Sequence, residues 1–358
     1  MHRVLALAAV LLAAFPAFGM ERVRVSDDHA HFVLEKSGRT FSPWGFNYDR
    51  DHSGRLIEDY WETEWPKVET DFRAMKQLGA NVVRVHIQFA KFMTSADTPN
   101  EKSLKRLRKL LDFAGKLGLY IDLTGLGCYH KKDVPAWYDA MTETERWNAQ
   151  ANFWRAVAAE CKSSPAIFCY DLMNEPVSPN GKRKDGEWLA QPMGDKTFVQ
   201  AISLDSAGRS HGKVAHDWVQ KLCAAIKSED RAAMITVGLL PGVPDRADAW
   251  SGFIPADLTG LLDYISVHVY PEKGKLDDDL KMLAKFSVGR PVVIEETFPL
   301  KCSPAELEQF MDRAGNSVAG WIGFFWGKMP DDLRGSKELS DQITLAWLEL
   351  FQKRAHRD

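Results

Sequence analysis

From residue 42 onward the chain alternates short, almost wholly apolar runs with longer segments whose apolar residues recur at helical spacing. The short runs, 42–47, 81–87, 119–124, 166–173, 233–238, 264–270, 291–297 and 320–326, lack the in/out alternation of a sheet with one wet face. They read as parallel strands covered on both sides. The segments 68–78, 103–117, 143–161, 213–228, 276–286, 304–314 and 339–353 read as amphipathic helices between them. Ser303 and Pro304, followed by an early acid, form a sound helix start, and Gly79 and Gly118 stand where two helices should stop.

Eight such units in about 320 residues predict an α/β fold, a (β/α)8 barrel with long loops on one face. An open doubly wound sheet is the alternative, but no glycine-rich phosphate loop follows the first strand. Residues 23–41 alternate and turn at Ser26 to Asp28 and again near Ser37 and Gly38, predicting a short hairpin that closes one end of the barrel. The longest excursion, 177–211, follows the fourth strand and should lie on the C-terminal face, where barrel active sites assemble. No linker, charge block or repeat divides 20–358, so one domain is expected.

The first residues read differently. Met1 to Arg3 is a basic start, 4–18 is apolar, and Ala17-Phe18-Gly19 offers a small-x-small cleavage site. Residues 1–19 therefore read as a signal peptide for a secreted or periplasmic protein. At about fifteen apolar residues, broken by Pro16, the stretch is too short to span a membrane, and no later segment is as long and apolar.

Composition narrows the partners. With 46 Lys and Arg against 49 Asp and Glu the net charge is -3, which gives no general attraction for nucleic acid. The five cysteines, Cys128, Cys161, Cys169, Cys223 and Cys302, are odd in number and show no CxxC spacing, so they predict no metal cluster and mostly small buried hydrophobes. His29 and His31 have the spacing of a metal-ligand pair but sit in a polar hairpin. The 12 tryptophans exceed what a core needs. Trp147, Trp154, Trp218 and Trp347 fall on predicted helices and should be packing. Trp44, Trp61, Trp137, Trp188, Trp250 and Trp326 fall at or beyond strand ends, where, with Tyr60 and Tyr129, they would make platforms for a sugar.

Polar residues at the C-terminal ends of apolar strands carry the chemistry, because burying them has no packing benefit. Strand two ends with Arg84 and His86, strand four with Asp171, Asn174 and Glu175, strand six with His268 and Tyr270, strand seven with Glu295 and Glu296, and strand eight with Trp326. Carboxylates thus come from opposite sides of the barrel. Two facing carboxylates are what cleavage of a glycosidic bond requires, one protonating the leaving oxygen and the other attacking or activating water. Arg84 is available to keep one of them ionised, and His268 and Tyr270, two apart on one strand, share a face from which they could hydrogen-bond the pair.

Asn174-Glu175-Pro176, Glu296, Arg84, His268-x-Tyr270 and Trp326, in this order over nearly all of 20–358, resemble glycoside hydrolase family 5, barrel glycosidases with catalytic glutamates on strands four and seven. The resemblance implies a retaining double displacement on a β-linked glucan- or mannan-type oligo- or polysaccharide, without metal or organic cofactor. By that resemblance Glu175 is general acid and then base, and Glu296 is the nucleophile. Asn174 would hold the sugar 2-hydroxyl, Arg84 and Tyr270 would keep Glu296 ionised, and Trp326 would support the sugar ring. His268 would hydrogen-bond the carboxylates.

The chain departs from the family pattern at two places. Glu295-Glu296-Thr297-Phe298 stands where Gly-Glu-aromatic-Gly is usual, so two acids compete for one role. The register of 291–294 favours Glu296 and places Glu295 on the other face, in a structural ion pair. Strand three ends in Leu123-Thr124-Gly125 where the family commonly has a histidine, and His130 lies several residues on, outside the expected site. These departures leave open a second reading, a carbohydrate-binding barrel whose catalysis has lapsed. A metal-dependent hydrolase using His29 and His31 is the third.

Overall fold

The computed structural model describes residues 19–179, 181–242 and 251–355. Residues 1–18 of the leader read at 1–19, and Trp250, lie outside them.

Eight parallel strands close into a barrel in chain order: β1 (Trp44–Tyr48), β2 (Val82–Gln88), β3 (Tyr120–Gly127), β4 (Ile167–Asn174), β5 (Ile235–Leu239), β6 (Ile265–His268), β7 (Val292–Glu296) and β8 (Gly320–Phe324), with β8 pairing β1. All eight expected strands are present. The sixth and eighth end earlier than the sequence suggests, at His268 and Phe324, so Tyr270 and Trp326 belong to the loops that follow.

Helices α1 (Trp65–Gln77), α2 (Glu101–Leu117), α3 (Glu143–Cys161), α4 (His211–Glu229), α5 (Pro255–Leu258), α6 (Leu276–Ala284), α7 (Pro304–Ala314) and α8 (Leu339–Arg354) surround the barrel. The one-turn α5 was not foreseen. The Ser303 hydroxyl accepts from Glu306 N, and the Glu306 carboxylate accepts in return from Ser303 N, which closes a capping box on α7. Gly118 caps α2 at φ 65, a left-handed conformation that glycine adopts without steric cost.

The N-terminal segment folds as three short antiparallel strands, Val23–Val25, Phe32–Leu34 and Thr40–Phe41, across the bottom of the barrel. Fully buried Phe32 plugs that end, its ring 5.3 Å from those of Phe168 and Tyr264. His29 and His31 engage separate partners there, Arg290 and Ser26, and do not converge. Four cysteines are buried, Cys302 is half-buried, and none is paired among the described residues.

Positions alternating along the strands face the barrel interior and fall into layers. Val82, Tyr120, Met234, Tyr264, Val293 and Ile322 form an apolar floor over Phe32. Two residues further along stand Arg84, Asp122, Thr236, Ser266 and Glu295, all fully buried. The upper half of the interior is therefore polar, which a packed barrel does not require.

Candidate active site

The strands set Arg84 at the centre of the C-terminal mouth, fully buried. Its Nη1 donates to Glu296 Oε1 at 2.9 Å and to Asn47 Oδ1 at 2.9 Å; its Nη2 donates to Asp171 Oδ2 at 2.6 Å and to Asn174 Oδ1 at 3.1 Å. The planar fork thus ties strands β1, β2, β4 and β7 into one rigid arrangement.

Glu296 receives a second donor, the Tyr270 hydroxyl, at 2.6 Å to Oε2. Glu175 follows β4 with φ 47, an uncommon backbone conformation outside glycine, and its amide donates to Gly238 O at 3.0 Å. Its Oε1 lies 2.9 Å from His268 Nδ1, which is also 3.5 Å from Glu296 Oε2. Burial opposes a charge on His268, but the carboxylates of Glu296 and Glu175 outweigh it and raise its pKa above the ordinary histidine value. Oxygens of Glu175 and Glu296 approach each other and the His268 nitrogen within 4.8 Å.

Asn174 is held at both ends of its amide, accepting from Arg84 and donating to Phe198 O at 3.3 Å. Trp326 stands at the edge of the same cavity, its Nε1 donating to Asp49 Oδ1 at 3.2 Å and its ring facing the Arg50 guanidinium 5.0 Å away. The cavity measures about 420 Å³ and is lined by Asn174, Glu175, Tyr270, Glu296 and Trp326 among others. Arg84 and His268 lie buried behind the glutamates. All seven residues read from the sequence therefore meet at one place.

Three further residues complete the site, of which His86 alone is among the strand-end polar residues read from the sequence, without a role. Asn47, the last residue of the first expected strand, links Arg84 to the backbone, its Nδ2 donating to Glu295 O and Gly323 O at 2.7 and 2.9 Å. His86 is two residues beyond Arg84 and so on the same face. Burial, with the charges of Arg84 and His268, pushes its pKa well below the ordinary value and leaves it neutral. Its Nδ1 lies 2.5 Å from Tyr129 OH, and its Nε2 lies 3.1 Å from Asn47 Oδ1 and 3.3 Å from Arg84 Nη1. Asp49 lines the cavity two residues beyond Asn47, and burial raises its pKa. Polar residues at alternate positions up to and just past a strand end, Asn47 and Asp49 at β1 and Arg84 and His86 on β2, are the signal that would have found all three.

Two expectations need correction. Glu295 is not on the outer face: the β6–β7 register shifts between Val267 and His268, and Glu295 points into the barrel with its Oε2 3.6 Å from Arg84 Nε. The contact with a cation is there, but inside the barrel, beneath Glu296. The expected sugar platforms are mostly structural. Trp61 and Trp188 are buried, as are Tyr60 and Tyr129, while Trp44 sits at the bottom of β1 against Phe351. Trp188 packs under Arg146, and Trp137 packs on Tyr138 away from the acidic cavity. Strand-end position does not distinguish a ring facing solvent from one folded back under a loop.

The 177–211 excursion lies where expected. Residues Pro176–Val177 and Gln200–Ala201 pair as a small parallel sheet beside the mouth, and Met193 and Phe198 reach the cavity. The basic stretch Lys182 to Lys184 is largely in solvent.

A family model described as cellulase, glycosyl hydrolase family 5, matches residues 35–328. Among solved structures, the exo-β-1,4-mannosidase Op5Man5 from Opitutaceae bacterium strain TAV5 superposes with a TM-score of 0.67 at 17% identity, covering 92% of this chain, which spans 62% of that one. The endo-1,4-β-mannanase of Rhizomucor miehei gives a TM-score of 0.64 at 18% identity over 92% of this chain and 99% of that one. The β-mannanase of the blue mussel Mytilus edulis gives 0.62 at 15% identity over 95% and 98%. At such identities the likeness is one of fold. No curated protein sequence matches the chain.

Proposed function

Because the chain belongs to glycosyl hydrolase family 5 and is thereby a glycosidase, we propose that it is an exported retaining enzyme that cleaves β-linkages in a mannan- or glucan-type carbohydrate, with Glu175 as acid/base and Glu296 as nucleophile. The observation that carries this reading is the approach of the Glu175 and Glu296 oxygens to within 4.8 Å. An inverting enzyme needs about 6.5–9.5 Å between its carboxyl groups to admit water, whereas a retaining one works at about 5–5.5 Å.

The partners of each glutamate support the division of labour. Glu296 accepts from Arg84 and Tyr270, donors that favour the ionised form a nucleophile needs. Among the described residues the Glu175 carboxylate is hydrogen-bonded to His268, a group able to exchange a proton with it as it alternates between acid and base. In the first step Glu175 protonates the leaving oxygen while Glu296 attacks the anomeric carbon. In the second, Glu175 deprotonates water, which displaces Glu296 and restores the free enzyme. Trp326 offers a ring face beside this bond, and Asn174 retains one amide hydrogen for a sugar hydroxyl. The structural likeness to a β-mannosidase and two β-mannanases supports a β-linked hexosan as substrate, and the leader read at 1–19 supports export.

Glu175→Ala and Glu296→Ala are each expected to lower kcat at least about a hundredfold on natural chains. On activated aryl β-glycosides azide should rescue both, giving a β-glycosyl azide with Glu175→Ala and an α-glycosyl azide with Glu296→Ala. Retention of activity in both, with its loss in Glu295→Ala, would overturn the nucleophile assignment. Product release from any member of an oligosaccharide panel would end the alternative of a lapsed binding barrel.

A further inference from the structure

Two side chains at the mouth of the cavity have no part in the proposed chemistry and stand open to solvent. Met193 is 71% exposed and Leu300 62%. Among the described residues only Leu339, at 70%, is another large hydrophobic side chain left so bare. Single exposed apolar residues are ordinary on a protein surface. These two, from the loops after β4 and after β7, line one cavity together with Phe198, Phe298 and the site glutamates. An apolar surface continuous with a reactive centre marks the place of an apolar part of its ligand.

Neither is a loose loop tip. Met193 N donates to Lys196 O at 2.7 Å and Lys196 N to Met193 O at 3.3 Å, closing a tight turn that Thr197 N ties to Tyr129 O at 2.9 Å. Gly194 takes the left-handed place in that turn, at φ 67. Leu300 N donates to Phe298 O at 2.7 Å, and the next residue, Lys301, accepts from Lys273 N at 3.0 Å. Backbone hydrogen bonds thus hold both side chains in water, although burial would favour them.

Carbohydrate makes poor use of such residues. A sugar lays its C–H face on a flat ring and its hydroxyls against polar groups, and the cavity offers these elsewhere, in Trp326, Asn174 and Asp49. The flexible thioether of Met193 and the branched alkyl group of Leu300 provide neither a plane nor a strong hydrogen-bonding group. Met193 and Phe198 also belong to the segment that leads on from Glu175, the group that protonates the leaving oxygen. We propose that Met193 and Leu300 form a subsite for an apolar leaving group, which gives the enzyme a further activity, hydrolysis of β-hexosides of aliphatic alcohols. Glu175 passes its proton to the glycosidic oxygen as the bond from that oxygen to the anomeric carbon breaks and Glu296 bonds to the carbon. The alcohol departs neutral, and one water then releases the hexose and returns a proton to Glu175. The subsite's catalytic use rests on the reading of Glu175 and Glu296 as the reacting pair.

Methylene groups remote from the reacting bond bind alike in ground and transition states, so they lower KM and leave kcat alone. Full burial is worth about fourfold per methylene, and an open lip gives less, so kcat/KM should rise about thirtyfold in all along methyl, butyl and octyl β-glucosides and β-mannosides. Met193→Ser and Leu300→Ser, at exposed positions where folding is not at risk, should each cut the octyl-to-methyl ratio about threefold, and the double variant about tenfold. A ratio near one in the wild type, or an unchanged ratio in the double variant, would overturn the inference. Octyl and methyl 1-thio-β-hexosides, which resist hydrolysis, give the same comparison as dissociation constants by calorimetry, with the octyl compound expected to bind about thirtyfold tighter. That measurement needs no turnover. Tight octyl binding without product supports the subsite and overturns the catalytic assignment, whereas normal azide rescue with equal affinity for octyl and methyl compounds overturns the subsite alone.

Discussion

Arg84 takes a position that no shorter or single-pronged cation could fill. Its fork reaches Glu296, Asn47, Asp171 and Asn174 at once, whereas a lysine presents one compact charge on a flexible stem. Arg84→Lys is expected to remain folded, since the buried acids keep a cation, yet to lose at least about a hundredfold in kcat/KM. Near-normal turnover in that variant would show that charge alone, without the fork, positions the nucleophile. The two histidines bend stability in opposite directions. His86 is neutral when folded but takes a proton in the unfolded chain below its ordinary value of 6.5, so it lowers stability as pH falls through that value. His268 has a raised folded pKa, so its stabilisation is complete below 6.5 and is lost as pH rises through the raised value. Melting midpoints measured across this range should show a shallower acid-side decline in His86→Gln and a shallower alkaline-side decline in His268→Gln. Parallel curves would mean that neither group titrates with folding.

At the scale of elements, strands hold the buried half of the site and loops hold the open half. Arg84, Asp171, Asn174, His268 and Glu296 lie within strands, while Glu175, Tyr270 and Trp326 fall just beyond strand ends. The former are fixed by ladder hydrogen bonds and the latter by their side-chain partners. Strand β8 adds a packing requirement of its own. A Cβ at Gly323 would collide with the Trp347 indole of α8, whose Nε1 donates to Phe324 O at 3.0 Å. Gly323→Ala should destabilise the protein by about 1–3 kcal/mol through overpacking. Denaturant unfolding measures this, and an unchanged midpoint would mean that α8 shifts freely on the barrel.

For the whole molecule, the barrel has two unlike ends. The N-terminal sheet seals the lower one with Phe32, Val23 and the apolar floor, far from the acidic mouth. Phe32→Ala is therefore expected to cost about 3 kcal/mol or more in unfolding free energy while leaving kcat/KM close to wild type. A matching loss of turnover at temperatures well below the melting transition would show that the floor and the catalytic layers move together. Among the described residues no helix is long and apolar enough to cross a membrane.

The amino-acid order by itself determined the eight-unit barrel, seven of the eight helices named around it, and the strand ends at or just beyond which the seven site residues lie. Each of these rests on local periodicity or on a polar residue interrupting an apolar run, which neighbours in sequence suffice to show. Only the tertiary structure decided which of two adjacent glutamates faces the cavity, because a register shift between β6 and β7 overrides simple alternation. It also separated Trp326, which borders the site, from Trp61 and Trp188, which loops fold inward. Burial of a loop ring and convergence of acids from β3, β4 and β7 on one arginine are properties of chain closure. They depend on residues as far apart as Arg84 and Glu296, which no local pattern connects.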